Sequence, residues 1–138
     1  MTSSVRDAMT KDPRSVERST PIVEAAKLLK QLDVGSLPTL DDGRLVGMVT
    51  DRDIVLRVVA EGKDVGSTTV GEIASSDLVT IDPQQNLDEA LRLMAQHQVR
   101  RLPVVEEDGR LVGILAQADV AHEGEDSKTG QLVERISN

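Results

Sequence analysis

The apolar positions of this chain fall into two matched sets. Ile22, Ala25, Ala26 and Leu29 share one face at amphipathic-helix spacing, and Leu87, Ala90, Leu91 and Met94 repeat the arrangement. Thr20 is the expected N-cap of the first helix, with Pro21 at its first helical position; Asn86 is the equivalent cap of the second. After each helix comes a pair of apolar runs broken by Asp-Gly, a strong hairpin signal. The predicted strands are Ser36–Leu40 and Arg44–Val49 around Asp42-Gly43, and Leu102–Val105 and Arg110–Leu115 around Asp108-Gly109. Short β-prone pieces, Arg14–Val16 and Leu78–Ile81, precede the helices. A further helix closes each set, from Asp51 to about Ala60 and from Gln117 to His122.

These sets are a tandem duplication. Val5 and Val70 are 65 positions apart, as are Glu24-Ala25 and Glu89-Ala90, and Leu37-Pro38 and Leu102-Pro103. One extra acidic residue in the second hairpin then moves the offset to 66, where Asp42–Gly47 and Asp108–Gly113 match residue for residue and Asp53 meets Asp119. The order β-α-β-β-α, twice, implies a mixed α/β (α+β) fold with pseudo-twofold symmetry. The expected division is residues 1–60, a linker over 61–69, residues 70–122, and a tail over 123–138 that ends in a short helix carrying Leu132, Val133 and Ile136. One repeat of about 60 residues buries little core alone, so the two are expected to pack on each other.

Composition removes several function classes. The 138 residues contain no Phe, Tyr or Trp, so a planar ligand cannot be stacked on an aromatic ring, and the usual platform for single-stranded nucleic acid is missing. The net charge of −8 opposes binding to a phosphate backbone. With no cysteine there is no disulfide, thiolate zinc site or cysteine nucleophile. His97 and His122 lack metal-ligand spacing, and no P-loop, nucleophile–base pair or acid dyad stands out. No apolar run reaches the length of a membrane span, and the polar N-terminal stretch has no signal-peptide core, so a cytoplasmic protein is expected.

The first strand-to-helix junction, Gly47-Met48-Val49-Thr50-Asp51-Arg52-Asp53, has chemistry of its own. A helix start offers unpaired N–H groups to an anion, and Gly47 permits close backbone approach. The Thr50 hydroxyl can donate to a phosphate oxygen, and Arg52 adds positive charge. Thr50 and Asp53 also have capping-box spacing, which needs no ligand. In the second junction Ala116 and Ala118 replace the hydroxyl and the arginine, while Asp119 keeps the acid. Arg100-Arg101 stand where the first copy has Gly35-Ser36. They suit a polyphosphate, or a solvated basic edge facing the abundant acids.

The Val-x-x-x-Met opening at Val5–Met9, the apolar-Pro strands at Leu37-Pro38 and Leu102-Pro103, and the Gly-x-x-Thr-x-x-Asp junction at Gly47–Asp53 together resemble a tandem pair of CBS domains, a Bateman module. The resemblance runs from about Val5 to about Val120. The phrases TDRDIV and HQVRRLPV are most similar to small stand-alone bacterial pairs of the hypoxic-response type. It implies a non-enzymatic sensor that binds AMP, ADP or ATP in clefts between the domains, with Mg²⁺ only alongside bound ATP, and that signals through a change of conformation or oligomer. Asp53, and Asp119 in the second copy, would accept a ribose diol. Thr50, Arg52, Arg100 and Arg101 would serve phosphates. Val16, Ser36, Leu37 and Pro38, with Thr80, Ile81, Leu102 and Pro103 in the second copy, would form the base slots. The resemblance also implies a homodimer with an isologous interface and a downstream protein partner, with no nucleic acid, membrane or protein-only metal site. A ligand-free structural or protein-interaction dimer and an S-adenosylmethionine binder are the alternative readings.

Overall fold

A computed structural model describes residues 3–125, with side chains as far as residue 121. The elements are α1 (Val5–Ala8), β1 (Thr10–Lys11), β2 (Val16–Glu17), α2 (Ile22–Leu32), β3 (Ser36–Asp41), β4 (Arg44–Thr50), α3 (Asp51–Ile54), α4 (Val70–Ile73), α5 (Leu87–His97), β5 (Arg101–Val105), β6 (Leu111–Ala116) and α6 (Gln117–Glu125). The predicted helices and hairpins come in the expected order, but Leu78–Ile81 contributes only a bridge at Ile81, and three short elements that the pattern did not predict, α1, β1 and α4, are added. The tail helix expected around Leu132 lies outside the described residues.

The compact units of the structure are offset from the sequence repeats. Residues 14–78 form one unit; residues up to 13 and from 79 onward form the other. Each repeat's opening helix therefore belongs with the other repeat. Val5 and Met9 are buried with Ala90, Leu102 and Leu115, whereas Val70 and Ile73 are buried with Ile22, Leu37 and Val49. Hydrogen bonding gives the reason. Each hairpin leaves the outer edge of its second strand unpaired, and an opener supplies the missing partner. Thr10 and Lys11 pair antiparallel with Ile114 and Gly113. In the other unit Met48 and Ser75 exchange both backbone hydrogen bonds at 2.9 Å.

Gly47 and Gly113 make that crossing possible. A Cβ on Gly47 would sit 2.9 Å from the Ser75 carbonyl oxygen, and one on Gly113 would sit 2.9 Å from that of Thr10. The glycine of the junction thus admits the backbone of an opener segment where a side chain would otherwise stand. The unit of residues 14–78 has the sheet order β2-β3-β4, with β2 parallel to β3. In the other unit β1-β6-β5 form the sheet, and Ile81 makes the equivalent parallel bridge to Val104. Both hairpins slip register at one place, after Thr39 and after Val104. The turn at Asp42-Gly43 has positive φ at both residues, the primed geometry that suits strand twist. The extra acid of the second copy is absorbed in a longer turn, with Gly109 N–H donating to the Glu106 carbonyl.

Two local expectations need correction. Thr20 does not cap α2; Pro21 is the cap residue, and no side chain bonds there. The Ile22 and Val23 amides instead donate to the carbonyls of Thr68 and Val65, so the segment read as a linker performs the capping. The helix expected over Asp51–Ala60 is α-helical only to Ile54. A π turn follows over Val55–Val59, closed by Ala60 N–H donating to the Val55 carbonyl. Elsewhere the caps are as predicted or better. Asn86 Oδ1 accepts from Glu89 N–H at 2.9 Å. Ser4 with Asp7 and Thr69 with Glu72 form full capping boxes on α1 and α4. Backbone hydrogen bonds from Ser4 and Thr69 hold the Asp7 and Glu72 carboxyls below their usual range.

Thr39 is 0 % exposed, and its hydroxyl has no hydrogen-bond partner among the described residues. Its counterpart in the other hairpin is Val104, also 0 % exposed. The pleat points both into the core, so Thr39 carries an unsatisfied polar atom where the second copy carries a methyl. Thr39→Val is expected to raise unfolding stability by about 1 kcal/mol, read as a higher urea midpoint at unchanged slope by far-UV circular dichroism.

Candidate functional site

The start of α3 is built on the free end of the β3–β4 hairpin. Ser36 pairs with Thr50 and Pro38 with Met48, so the side chains of Ser36, Pro38, Met48 and Thr50 share one face of the sheet. Leu37, Thr39 and Val49 occupy the opposite face and are buried. Asp51 N–H donates to the Gly35 carbonyl at 3.0 Å and closes the end.

Thr50 and Asp53 bond to each other twice. Thr50 N–H donates to Asp53 Oδ2, and Asp53 N–H donates to Thr50 Oγ1, each at 3.0 Å. The capping box read from the spacing is therefore formed. It leaves two groups available for other chemistry. The Thr50 hydroxyl accepts from Asp53 and retains its own proton to donate, and Asp53 Oδ1 makes no hydrogen bond to any described residue. Arg52 is exposed, and its guanidinium has no ion-pair partner among the described residues. Asp51 turns its carboxylate onto the Arg52 amide at 2.7 Å.

The second copy keeps half of this arrangement. Ala116 N–H donates to Asp119 Oδ2 at 2.8 Å, but Ala116 has no hydroxyl to accept in return. Arg101 lies directly across from Ala116 in the β5–β6 pairing, where the first copy has Ser36 across from Thr50. The basic pair thus flanks the junction that lost its hydroxyl and its arginine. Arg100 and Arg101 are both exposed, without ion-pair partners among the described residues. The Arg100 carbonyl accepts from Gln117 N–H at 2.8 Å, the counterpart of the Gly35–Asp51 closure.

The expected slot residues divide by pleat. Val16 and Leu37 belong to the core of their unit, and Ile81 and Leu102 to the core of theirs. Pro38 and Pro103 are buried on the opposite faces, beside the junctions. Thr80 is half-buried next to the Ile81–Val104 bridge. The sequence reading overlooked Met48 and Ile114, half-buried partners of the two prolines on those same faces. The signal was present: counting back by two from Thr50 and Ala116 reaches them. Among the described residues no three His, Asp or Glu side chains converge as a metal site would require, and no helix is long and apolar enough to cross a membrane.

Asp119 N–H faces the position where the other copy offers a hydroxyl. Ala116→Thr completes the second capping box and is expected to stabilise the protein by about 0.5–1 kcal/mol, whereas Thr50→Val costs about 1 kcal/mol, both read from denaturant midpoints.

The CBS-domain family model matches residues 5–60 and 70–126. The CBS domain-containing protein YhcV of Bacillus subtilis is 45% identical over 137 residues, which cover 99% of this chain and 96% of YhcV. Hypoxic response protein 1 of Mycobacterium tuberculosis is 38% identical, with 97% of this chain and 94% of that protein covered. Among solved structures, Hypoxic Response Protein I with two coordinated zinc ions aligns with a TM-score of 0.78 at 40% identity, covering 88% of this chain and 98% of that one. CBSX2 in complex with AMP aligns at 0.76 and 31%, covering 91% and 98%. The CBS pair of MJ0100, in complex with 5-methylthioadenosine and S-adenosyl-L-methionine, aligns at 0.74 and 29%, covering 92% and 100%. Two family matches, the duplicated hairpin-to-helix junctions and similarity along nearly the full length lead to one conclusion: the chain belongs to the CBS-domain family and carries two CBS domains in tandem.

Proposed function

We propose that this CBS pair is a non-enzymatic sensor of an adenosine nucleotide, AMP, ADP or ATP. The observation that carries the reading is the Thr50–Asp53 junction. The two side chains are joined there by reciprocal bonds, and those bonds consume neither the Thr50 hydroxyl proton nor the second Asp53 carboxylate oxygen. The first suits a phosphate oxygen and the second a ribose hydroxyl. The similar CBSX2 structure holds AMP, which supports the nucleotide class. Pro38 with Met48, and Pro103 with Ile114, supply aliphatic surface for a base in a chain without aromatic rings. Arg100 and Arg101 stand ready for phosphate at the second junction in place of the missing hydroxyl. Binding acts by favouring one conformation or oligomer over another, which a downstream protein reads. Mg²⁺ would enter only with bound ATP.

Absorbance tests this reading directly, because a chain without Trp, Tyr, Phe or Cys is nearly transparent in the near ultraviolet. Titration calorimetry with AMP, ATP and S-adenosylmethionine should show nucleotide binding. Asp53→Ala should weaken it by about 1.5–3 kcal/mol, the range for a lost hydrogen bond to a charged group. If the unmodified protein binds no nucleotide and leaves the cell without an adenine band, the nucleotide reading fails. Binding of S-adenosylmethionine alone would favour the adenosyl alternative, for which the MJ0100 complex is the precedent.

We also propose a homodimer. Val55, Leu56 and Val59 are 54%, 46% and 61% exposed on the π turn, a cluster of bare apolar side chains that a second copy would cover. The second repeat has Ala121, His122 and Glu125 at the same positions, so the surface is particular to the first. This exposed cluster is also what favours the second reading, a structural or protein-interaction dimer without ligand. Light scattering after size exclusion is expected to give the mass of a dimer for the unmodified chain and of a monomer for Leu56→Glu. A monomeric unmodified chain at micromolar concentration would sink the proposal.

A further inference from the structure

The nucleotide reading rests on one free oxygen, Asp53 Oδ1, and nothing in the junction motif explains what orients it. Thr50 N–H holds only the other oxygen, Oδ2. The residue that faces Oδ1 is Arg57. Its Nη1 donates to the Ile73 carbonyl at 2.9 Å, and its Nε lies 3.9 Å from Asp53 Oδ1. The first contact is a hydrogen bond; the second is too long to be one but close enough to attract. Arg57 is thus tethered at the end of α4 with its charge beside the carboxylate. Asp53 is 17% exposed, so the pair is only partly screened on that side. Arg57 lies on the π turn that follows α3, four residues after Asp53. At the offset that aligns Asp53 with Asp119, the second copy has Glu123 in place of Arg57. The position that carries the cation in the first copy thus holds an acid in the sequence of the second.

We infer that Arg57 is a positioning residue that holds Asp53 Oδ1 as the acceptor for a ribose hydroxyl and so makes this half of the pair prefer ribonucleotides to 2′-deoxyribonucleotides. The inference deepens the adenosine reading above and rests on it. Arg57 touches neither base nor phosphate in this account; its charge and tether fix the direction of one carboxylate oxygen. A carboxylate pinned through a single oxygen turns about that contact, and a diol needs the second oxygen held in place.

The test is calorimetric titration of the full chain with AMP and with 2′-deoxy-AMP, for the unmodified protein, Arg57→Gln and Arg57→Lys, with thermal melts by circular dichroism alongside. Glutamine brings no charge to Asp53, and its amide nitrogen ends where the arginine Nε lies, so it also gives up the bond to the Ile73 carbonyl, a loss of stability that the melts read separately. Lysine keeps the charge but cannot serve both acceptors with a fixed fork. Arg57→Gln is expected to lower the preference for AMP about tenfold, the equivalent of one hydrogen bond to a charged group, while 2′-deoxy-AMP binding changes little. Arg57→Lys is expected to retain part of the preference. An unchanged preference in Arg57→Gln overturns the inference. So does an equal loss of affinity for both nucleotides in either variant, which is what a purely structural role would give; both results leave the nucleotide reading intact. An unmodified protein that binds neither nucleotide overturns that reading and this inference together.

Discussion

The close passage of backbone over Gly47 and Gly113 is the constraint on which the rest of the structure depends. Neither hairpin completes its own sheet, because the outer edge of its second strand needs a partner and the partner arrives from the other repeat. An exposed edge of this kind is a liability, and here it is closed by a short antiparallel segment that follows an opening helix. Any side chain at either glycine would meet a backbone carbonyl. The openers then deliver Val5 and Met9 to one core and Val70 and Ile73 to the other. Sequence repeat and folding unit are therefore offset, and residues 61–69 gain a task that a linker does not have, namely capping α2 with backbone carbonyls.

The junction after each hairpin serves stability and chemistry with the same atoms. Thr50 and Asp53 satisfy two orphan amides at the start of α3, as any good cap would. The bonds that do so leave a hydroxyl proton and a carboxylate oxygen unspent, which is why a capping reading and a ligand reading do not compete. In the second copy the balance has shifted. The acid still caps, the hydroxyl is gone, and an arginine occupies the cross-strand position beside it. The divergence lies at the ends of the hairpins and in the helices that follow, while the buried positions shared by the two hairpins stay apolar apart from Thr39, which meets Val104.

Particular residues show where sequence reasoning reached and where it stopped. The two hairpins, the Asp-Gly turns, the Asn86 cap and the faces of α2 and α5 were legible because each depends on neighbours a few positions apart. The choice of Thr20 as a cap failed because the amides of α2 found carbonyls more than forty residues away. The slot residues were half legible. Alternation along β3 placed Leu37 in the core and Pro38 on the junction face, but quoting Leu-Pro as one motif hid that the two point in opposite directions. Met48 and Arg57 were passed over because the first is an unspecified position of the motif and the second lies beyond it. Met48 is identified by its strand partner, and Arg57 by the carbonyl of Ile73, sixteen residues away.

The sequence by itself determined the duplication, the amphipathic helices with the hairpins that follow them, the absence of aromatic and thiol chemistry and the CBS-pair character, because these rest on local periodicity, composition and motif spacing. Only the tertiary structure decided which opener completes which sheet, why Gly47 and Gly113 must be glycine, and which carboxylate oxygen of Asp53 remains without a hydrogen bond to any described residue. The reason is that backbone hydrogen bonds at strand edges and helix starts can be satisfied by any segment that the chain brings within reach. Sequence specifies the need for a partner, but only the folded chain specifies the partner.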